Sequence, residues 1–321
     1  MEQIKQNAFS GLKDVGQAER IYNRFARENN NDDRMIEDIV LDLLRALRES
    51  DTIYGDDDDF HNFAVTCSNT LDDNRAAYDI VYEGLKLYPT NTDLLADAIK
   101  YGYSCGEKDK CKLYYETLVT IDKAKWTWRA FSFAIDYLLD EWSSKDSEYS
   151  VEDMLSLAEE YKQTLPDEED AWISEHEVYD GTNQKEKGIS ILEEAISKFT
   201  FCPRCWLRYA DLMIDRGEYA KAEPVIKKML MFPKSKDKIN PSYMFYLDAQ
   251  CKLYTWRSSE AYENGEINKA QIMCIYRAFR KALSASGLRA STKRQIEDNI
   301  VEIENETDIE FPEDWKYSVR S

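Results

Sequence analysis

Apolar residues recur at helical spacing along most of the chain. From Leu12 to Glu28 they stand three or four positions apart, and the same spacing returns from Met35 to Arg48. Such spacing places apolar side chains on one face of an α-helix. The same pattern predicts further helices at 75–87, 108–121, 126–139, 151–165, 185–199, 219–231, 241–262, 268–284 and 291–304. The chain is therefore predicted to be all-α.

A spacing of 34 residues relates these segments to one another. Large apolar residues stand 34 apart, and a small residue follows each one four positions later, except for a histidine in one case; the pairs are Phe60/Ala64, Leu94/Ala98, Trp128/Ser132, Trp172/His176 and Trp206/Ala210. Between Trp128 and Trp172 the spacing is 44, and we assign the ten additional residues to the polar stretch 141–150. A recurring large–small pair predicts recurring contacts between two helices.

The segment from Pro203 to Phe232 carries this pattern most completely. With Pro203 as position 1, Trp206 is at 4, Ala210 at 8, Gly217 at 15 and Ala222 at 20. Small residues allow two helices to approach, and glycine readily adopts the left-handed conformation that ends a helix. The segment resembles one tetratricopeptide repeat, and the resemblance extends over about residues 57–284. It implies a right-handed α-solenoid of stacked antiparallel helix hairpins.

The repeat divides the chain into predicted parts. Residues 1–56 form an N-terminal helical hairpin cap, and residues 285–321 form a C-terminal capping helix and tail whose residues around Phe311 are a strap or a frayed end. The repeats between them are predicted at 57–90, 91–124, 125–168 with the insertion, 169–202, 203–236 and 237–284. Caps are expected because the end of a helical stack must be covered.

Charge and composition limit the possible functions. The chain has 42 Lys and Arg against 62 Asp and Glu, a formal net charge of −20. This charge repels phosphate backbones, so direct nucleic-acid binding is not expected. No stretch approaches the roughly 18 apolar residues of a membrane span, and the start lacks a signal-peptide pattern. Seven cysteines, an odd number, predict reduced thiols in a cytoplasmic protein.

Residues that could support chemistry are sparse. The two histidines are far apart in the sequence, and His176, at a small-residue position, is expected to pack and form a hydrogen bond rather than act in catalysis. Cys202 and Cys205 have a metal-like spacing, but no second close pair accompanies them. No glycine-rich phosphate loop is present. We therefore predict no catalytic residue, no metal and no cofactor.

The family resemblance also implies a concave groove lined by the first helix of each hairpin. The matching residues are His61, Val65, Asn69, Leu95, Ile99, Tyr103, Trp126, Arg129, Phe133 and Tyr137. Aromatic and arginine side chains are frequent anchors of interfaces. This groove would fit a protein or peptide partner with an apolar segment and basic flanks. The alternative is that Leu95, Ile99 and Phe133 pack between neighbouring helices.

The predicted function is a non-enzymatic interaction scaffold or regulatory subunit that binds a partner segment in this groove. Two alternatives stay open at this point. One is a scaffold of the half-a-TPR type in an RNA-processing complex, which would contact proteins rather than phosphates. The other is an enzyme with an unrecognised cysteine or carboxylate site.

Overall fold

A computed structural model describes residues 9, 11–29, 33–143, 148–233, 235, 239–285 and 290–312. Over these residues it contains sixteen α-helices and no β-strand beyond one isolated bridge between Asp14 and Tyr54. None of the described helices combines the length and apolar character needed to cross a bilayer. The prediction of an all-α fold is confirmed.

The helices follow one another with short connections. The first eight are α1 (Val15–Glu28), α2 (Asp33–Arg48), α3 (Asp57–Leu71), α4 (Asn74–Leu87), α5 (Thr92–Ser104), α6 (Lys108–Val119), α7 (Trp128–Trp142) and α8 (Val151–Thr164). The others are α9 (Asp170–Gly181), α10 (Lys185–Lys198), α11 (Pro203–Asp215), α12 (Tyr219–Met231), α13 (Pro241–Arg257), α14 (Glu260–Glu263), α15 (Lys269–Ser284) and α16 (Ala290–Thr307). A short 3₁₀ turn, Lys123–Lys125, precedes α7.

The chain forms two compact units, 1–174 and 175–321, divided within α9. In the first unit α1–α2, α3–α4, α5–α6 and α7–α8 pack as hairpins. The first helices α1, α3, α5 and α7 also pack against one another in that order. These four first helices form one layer of the unit, and the small residues predicted between helices, Ala64 and Ala98, have no exposed surface.

The third hairpin departs from the strict 34-residue register. The sequence pattern predicted that Trp128 is buried between helices and that Trp126 lines the groove. In the structure Trp126 is only 2% exposed, whereas Trp128 is partly exposed. The 3₁₀ turn at Lys123–Lys125 leads directly into this segment, and the Trp126 amide donates to the Lys123 carbonyl at 3.0 Å. The turn carries Trp126 inward, where its ring lies 5.0 Å from that of Phe131.

In the second unit, α11 and α12 pack as a hairpin. Ala210 and Ala222 have no exposed surface, and Gly217 has the predicted positive φ, 73°. His176 is buried as expected; Arg208 Nε donates to its Nε2 at 3.3 Å. Burial lowers the pKa of His176, and the nearby Arg208 charge adds to this effect.

The final helices differ from expectation in one place. The long helix predicted at 241–262 breaks after Arg257, because the Ser259 hydroxyl accepts from the Tyr262 amide and starts the short helix α14. Beyond α16, Phe311 stacks on Tyr276 with 4.2 Å between ring centroids, and the Tyr276 hydroxyl donates to the Pro312 carbonyl at 3.2 Å. These two contacts hold residues 311 and 312 against α15; residues 313–321 lie outside the described part.

Candidate functional site

A polar network joins the first helices of three successive hairpins in the first unit. His61 Nδ1 on α3 lies 2.5 Å from Asp97 Oδ2 on α5, and His61 Nε2 contacts a terminal nitrogen of Arg129 on α7. Arg129 also donates to Asp93 Oδ2 at 3.0 Å, and Asp93 accepts from the Thr127 hydroxyl. One network of side chains therefore connects α3, α5 and α7.

The two neighbours of His61 assign a donor and an acceptor role to its ring nitrogens. An arginine guanidinium can only donate hydrogen bonds, so His61 Nε2 must accept from Arg129. The ring proton is then on Nδ1, from which it is donated to Asp97. His61 thus links an arginine to a carboxylate, and Asp97 is only 1% exposed. This is the role of a fixed structural histidine rather than of a general base with a free lone pair.

We expect Asp97→Ala to lower the free energy of unfolding by about 1–3 kcal/mol. The substitution removes the buried acceptor of His61 and leaves a polar group without its partner. Urea denaturation followed by circular dichroism measures the change. Asp109→Ala, on the exposed surface of α6, is the matched control and should change the free energy by less than about 0.5 kcal/mol. Equal effects of the two variants would contradict the structural role of the network.

Beyond the network, the same helix faces carry side chains that keep an exposed part. Residues one and two turns further along a helix share its face. We call these residues the docking face; they are Val65 and Asn69 on α3, Lys100 and Tyr103 on α5, and Phe133 and Asp136 on α7. Lys100 Nζ lies 4.8 Å from the centroid of the Phe133 ring, so the middle of the face combines an aromatic ring with a cation.

A group of tyrosines borders the docking face. The Tyr137 ring is buried and packs against the rings of Tyr103, Tyr115 and Tyr149 at centroid distances of 6.1, 5.0 and 6.2 Å. Asp140 lies near this end of α7, and partial burial raises its pKa although the charge of Lys108 acts in the opposite direction. A carboxylate that has lost part of its hydration is stabilised when a further cation approaches.

The structure separates the ten residues predicted for the groove into three sets. His61 and Arg129 come together in the polar network, whereas Val65, Asn69, Tyr103 and Phe133 lie on the docking face. The other four, Leu95, Ile99, Trp126 and Tyr137, are at most 2% exposed and pack in the interior. Their assignment to a groove is corrected: α5 packs against both α3 and α7, which buries Leu95 and Ile99, and the 3₁₀ turn buries Trp126.

Sequence reasoning missed Asp93, Asp97 and Lys100. Asp97 stands where the repeat normally has a large residue. This departure from the repeat was the one sign in the sequence that Asp97 has a special role. Moreover, His61 and Arg129 stand at the same repeat position, 68 residues or two repeats apart. Equivalent positions two repeats apart have one first helix between them, so a charged residue on that helix is the natural bridge.

The cysteines offer little support for nucleophilic chemistry. Burial raises the pKa of Cys111 to about 12 and also raises that of Cys67, whereas a reactive cysteine needs a lowered pKa. Cys202 and Cys205 are both buried, and the Cys202 thiol donates to the Ala195 carbonyl at 3.8 Å. Over the described residues, no group of three or more His, Cys, Asp or Glu side chains could hold a metal ion.

Comparisons with known proteins connect this fold to solved structures. No protein-family model matches the sequence, and no curated protein sequence matches it. Yeast Tom70 matches with 12% identity and a TM-score of 0.60, over 96% of this chain and 62% of the Tom70 chain. This chain therefore spans about three fifths of Tom70. At this identity the likeness shows the fold alone.

Two other structures have lower scores. A tetratricopeptide repeat protein from Parabacteroides merdae matches with 13% identity and a TM-score of 0.48, over 89% of this chain and 99% of its own. Human IFIT1, as a dimer with PPP-AAAA, matches with 13% identity and a TM-score of 0.44, over 86% and 67% of the two chains. The helix hairpins and the Tom70 match together define the class: this chain has a tetratricopeptide-type helical repeat fold.

Proposed function

We propose that this protein is a non-enzymatic interaction scaffold and that the docking face on α3, α5 and α7 binds a short segment of a partner protein. The observation that carries the proposal is the combination of exposed aromatic surface with a rigid support. Phe133 and Tyr103 keep exposed parts, while the network of His61, Asp97 and Arg129 holds their helices together. Binding to a surface that is already ordered loses little conformational entropy.

The charges around the docking face favour a particular kind of segment. Asp136 is exposed on the face, and Asp140 with its raised pKa lies one turn further along α7. A partner segment with an apolar side chain against Phe133 and a Lys or Arg near Asp140 would satisfy both features. Lys100 covers the Phe133 ring in the free protein and would move aside, because its long side chain is exposed.

The test is a selection of random octapeptides displayed on phage against the full chain. Selected peptides are then synthesised, and their affinities are measured by fluorescence anisotropy. For peptides bound at the docking face, we expect Phe133→Ala to lower affinity about tenfold or more, since truncating an aromatic anchor removes most of its contact energy.

Phe245→Ala is the matched control for this experiment. Phe245 is also partly exposed and also has a lysine ammonium over its ring, Lys281 at 4.0 Å, but it belongs to α13 in the second unit. Binding should be unchanged in this variant. A selection that yields no peptide sensitive to Phe133→Ala would overturn the proposed docking face.

A further inference from the structure

A second candidate surface lies in the first unit, around residues 50–56. Two depressions flank this connection between α2 and α3. The first, about 300 Å³ in volume, has a floor that includes the buried side chains of Leu44, Leu47 and Ile80. The second, about 440 Å³ and more open, lies against Tyr54 and Leu87. We call the two depressions and their rims the loop-50 surface.

Three large apolar side chains are exposed at this surface. Tyr54 is 56% exposed, Leu87 49% and Tyr82 41%, and these are three of the eleven large hydrophobic residues that the described chain exposes. Lys86 Nζ lies 4.8 Å from the centroid of the Tyr82 ring, so this ring already accepts a cation on its face. Clustered apolar exposure with a polar rim is characteristic of interaction surfaces.

Hydrogen bonds hold the connection that carries Tyr54 in place. The Tyr54 amide donates to the Lys13 carbonyl and its carbonyl accepts from the Val15 amide, both at 2.9 Å. The Tyr88 hydroxyl donates to the Gly55 carbonyl at 3.0 Å and so ties residue 55 to the end of α4. The exposed Tyr54 ring is therefore presented by a fixed connection that is bonded on both sides.

The charges identify the kind of partner. Six carboxylates and three basic side chains line the two depressions. Each basic group is already paired: Arg48 with Asp79 at 3.1 Å, Lys86 with Glu83 at 2.5 Å, and Arg20 with Asp14 at 3.6 Å. The other three carboxylates, Asp51, Asp56 and Asp59, have no ion pair within the described part of the chain.

We propose that the loop-50 surface is a docking site for a partner protein segment that carries Lys or Arg next to a large apolar side chain. The apolar side chain enters a depression beside Tyr54 or Tyr82, and the cation approaches the three carboxylates that lack an ion pair. A second copy of this chain fits poorly, because its net charge of −20 would oppose contact through an acidic surface. This proposal does not depend on the docking face described above.

The experiment uses the same octapeptide selection on the full chain, with variants directed at this surface. Selected peptides should include a group with Lys or Arg adjacent to Leu, Ile, Phe or Trp. Their affinity should fall about tenfold in Tyr54→Ala/Leu87→Ala and fall also in Asp51→Lys. It should be unchanged in Phe133→Ala, which separates this site from the docking face.

Leu113→Ala/Val119→Ala is the matched control, since it truncates two comparably exposed apolar side chains on α6, away from the loop-50 surface. Thermal melting checks that both double variants stay folded. The proposal is overturned if no such peptides are recovered, or if their binding survives Tyr54→Ala/Leu87→Ala. Dimerisation in analytical ultracentrifugation that this double variant abolishes would also overturn it, because the occupant would then be a second copy.

Discussion

Ala210→Glu should strongly destabilise the protein's second unit. Ala210 has no exposed surface and lies on α11, which packs against α12 with the equally buried Ala222. The substitution forces a carboxylate into this contact between two helices and adds four heavy atoms beyond the methyl. An unpaired buried charge costs several kcal/mol, a large share of the roughly 5–15 kcal/mol that stabilises a domain.

Thermal unfolding followed by circular dichroism measures this effect, and the melting temperature should fall by more than about 10 °C. Ala220→Glu is the control, because Ala220 is exposed on the neighbouring helix α12 and receives the same chemical change. Its melting temperature should match that of the unsubstituted protein. A normal transition for Ala210→Glu would mean that the position of the repeat along α11 is misassigned.

Trp126→Ala should destabilise the first unit by about 3–5 kcal/mol, the usual cost of truncating a buried tryptophan. The indole is 2% exposed, packs against Phe131 and donates from Nε1 to the Ile121 carbonyl at 3.2 Å. The substitution therefore leaves a cavity and an acceptor without its donor. Urea denaturation should show a lower midpoint with an unchanged slope.

Phe133→Ala is the control for Trp126→Ala, because it truncates an aromatic side chain that is partly exposed instead of buried. Phe133 lies seven residues further along, on the docking face, and keeps an exposed part. Its truncation should cost about 1 kcal/mol or less, while it weakens peptide binding. If Trp126→Ala instead left stability unchanged and reduced binding, Trp126 would belong to the docking surface and the burial observed here would be wrong.

The helices were predictable because their evidence is periodic. The 34-residue spacing located the hairpins, and the small residues Ala64, Ala98 and Ala210 are buried as that spacing requires. The departures from the predicted helices have local causes, which the repeat spacing does not reveal. One is the 3₁₀ turn before Trp126; another is the Ser259 cap that interrupts the long helix predicted at 241–262.

The candidate site was predictable only in part. The repeat positions placed His61 and Arg129 on first helices, and the two side chains do lie together there. The sequence could not show which of two neighbouring residues faces outward, since Ile99 and Lys100 differ by one position and 100° of rotation. Ile99 is buried and Lys100 exposed. Likewise, the Asp97 bridge depends on three helices packing at one level, which a single sequence does not encode locally.

The Asp97 bridge has a consequence for how the three hairpins respond to force and to ligands. The middle first helix, α5, is held through Asp97 to His61 on one side and through Asp93 to Arg129 on the other. Any tilt of one hairpin must stretch or break a charged hydrogen bond to its neighbour. The three first helices therefore behave as a preorganised platform, and strain applied at α3 is transmitted through α5 to α7.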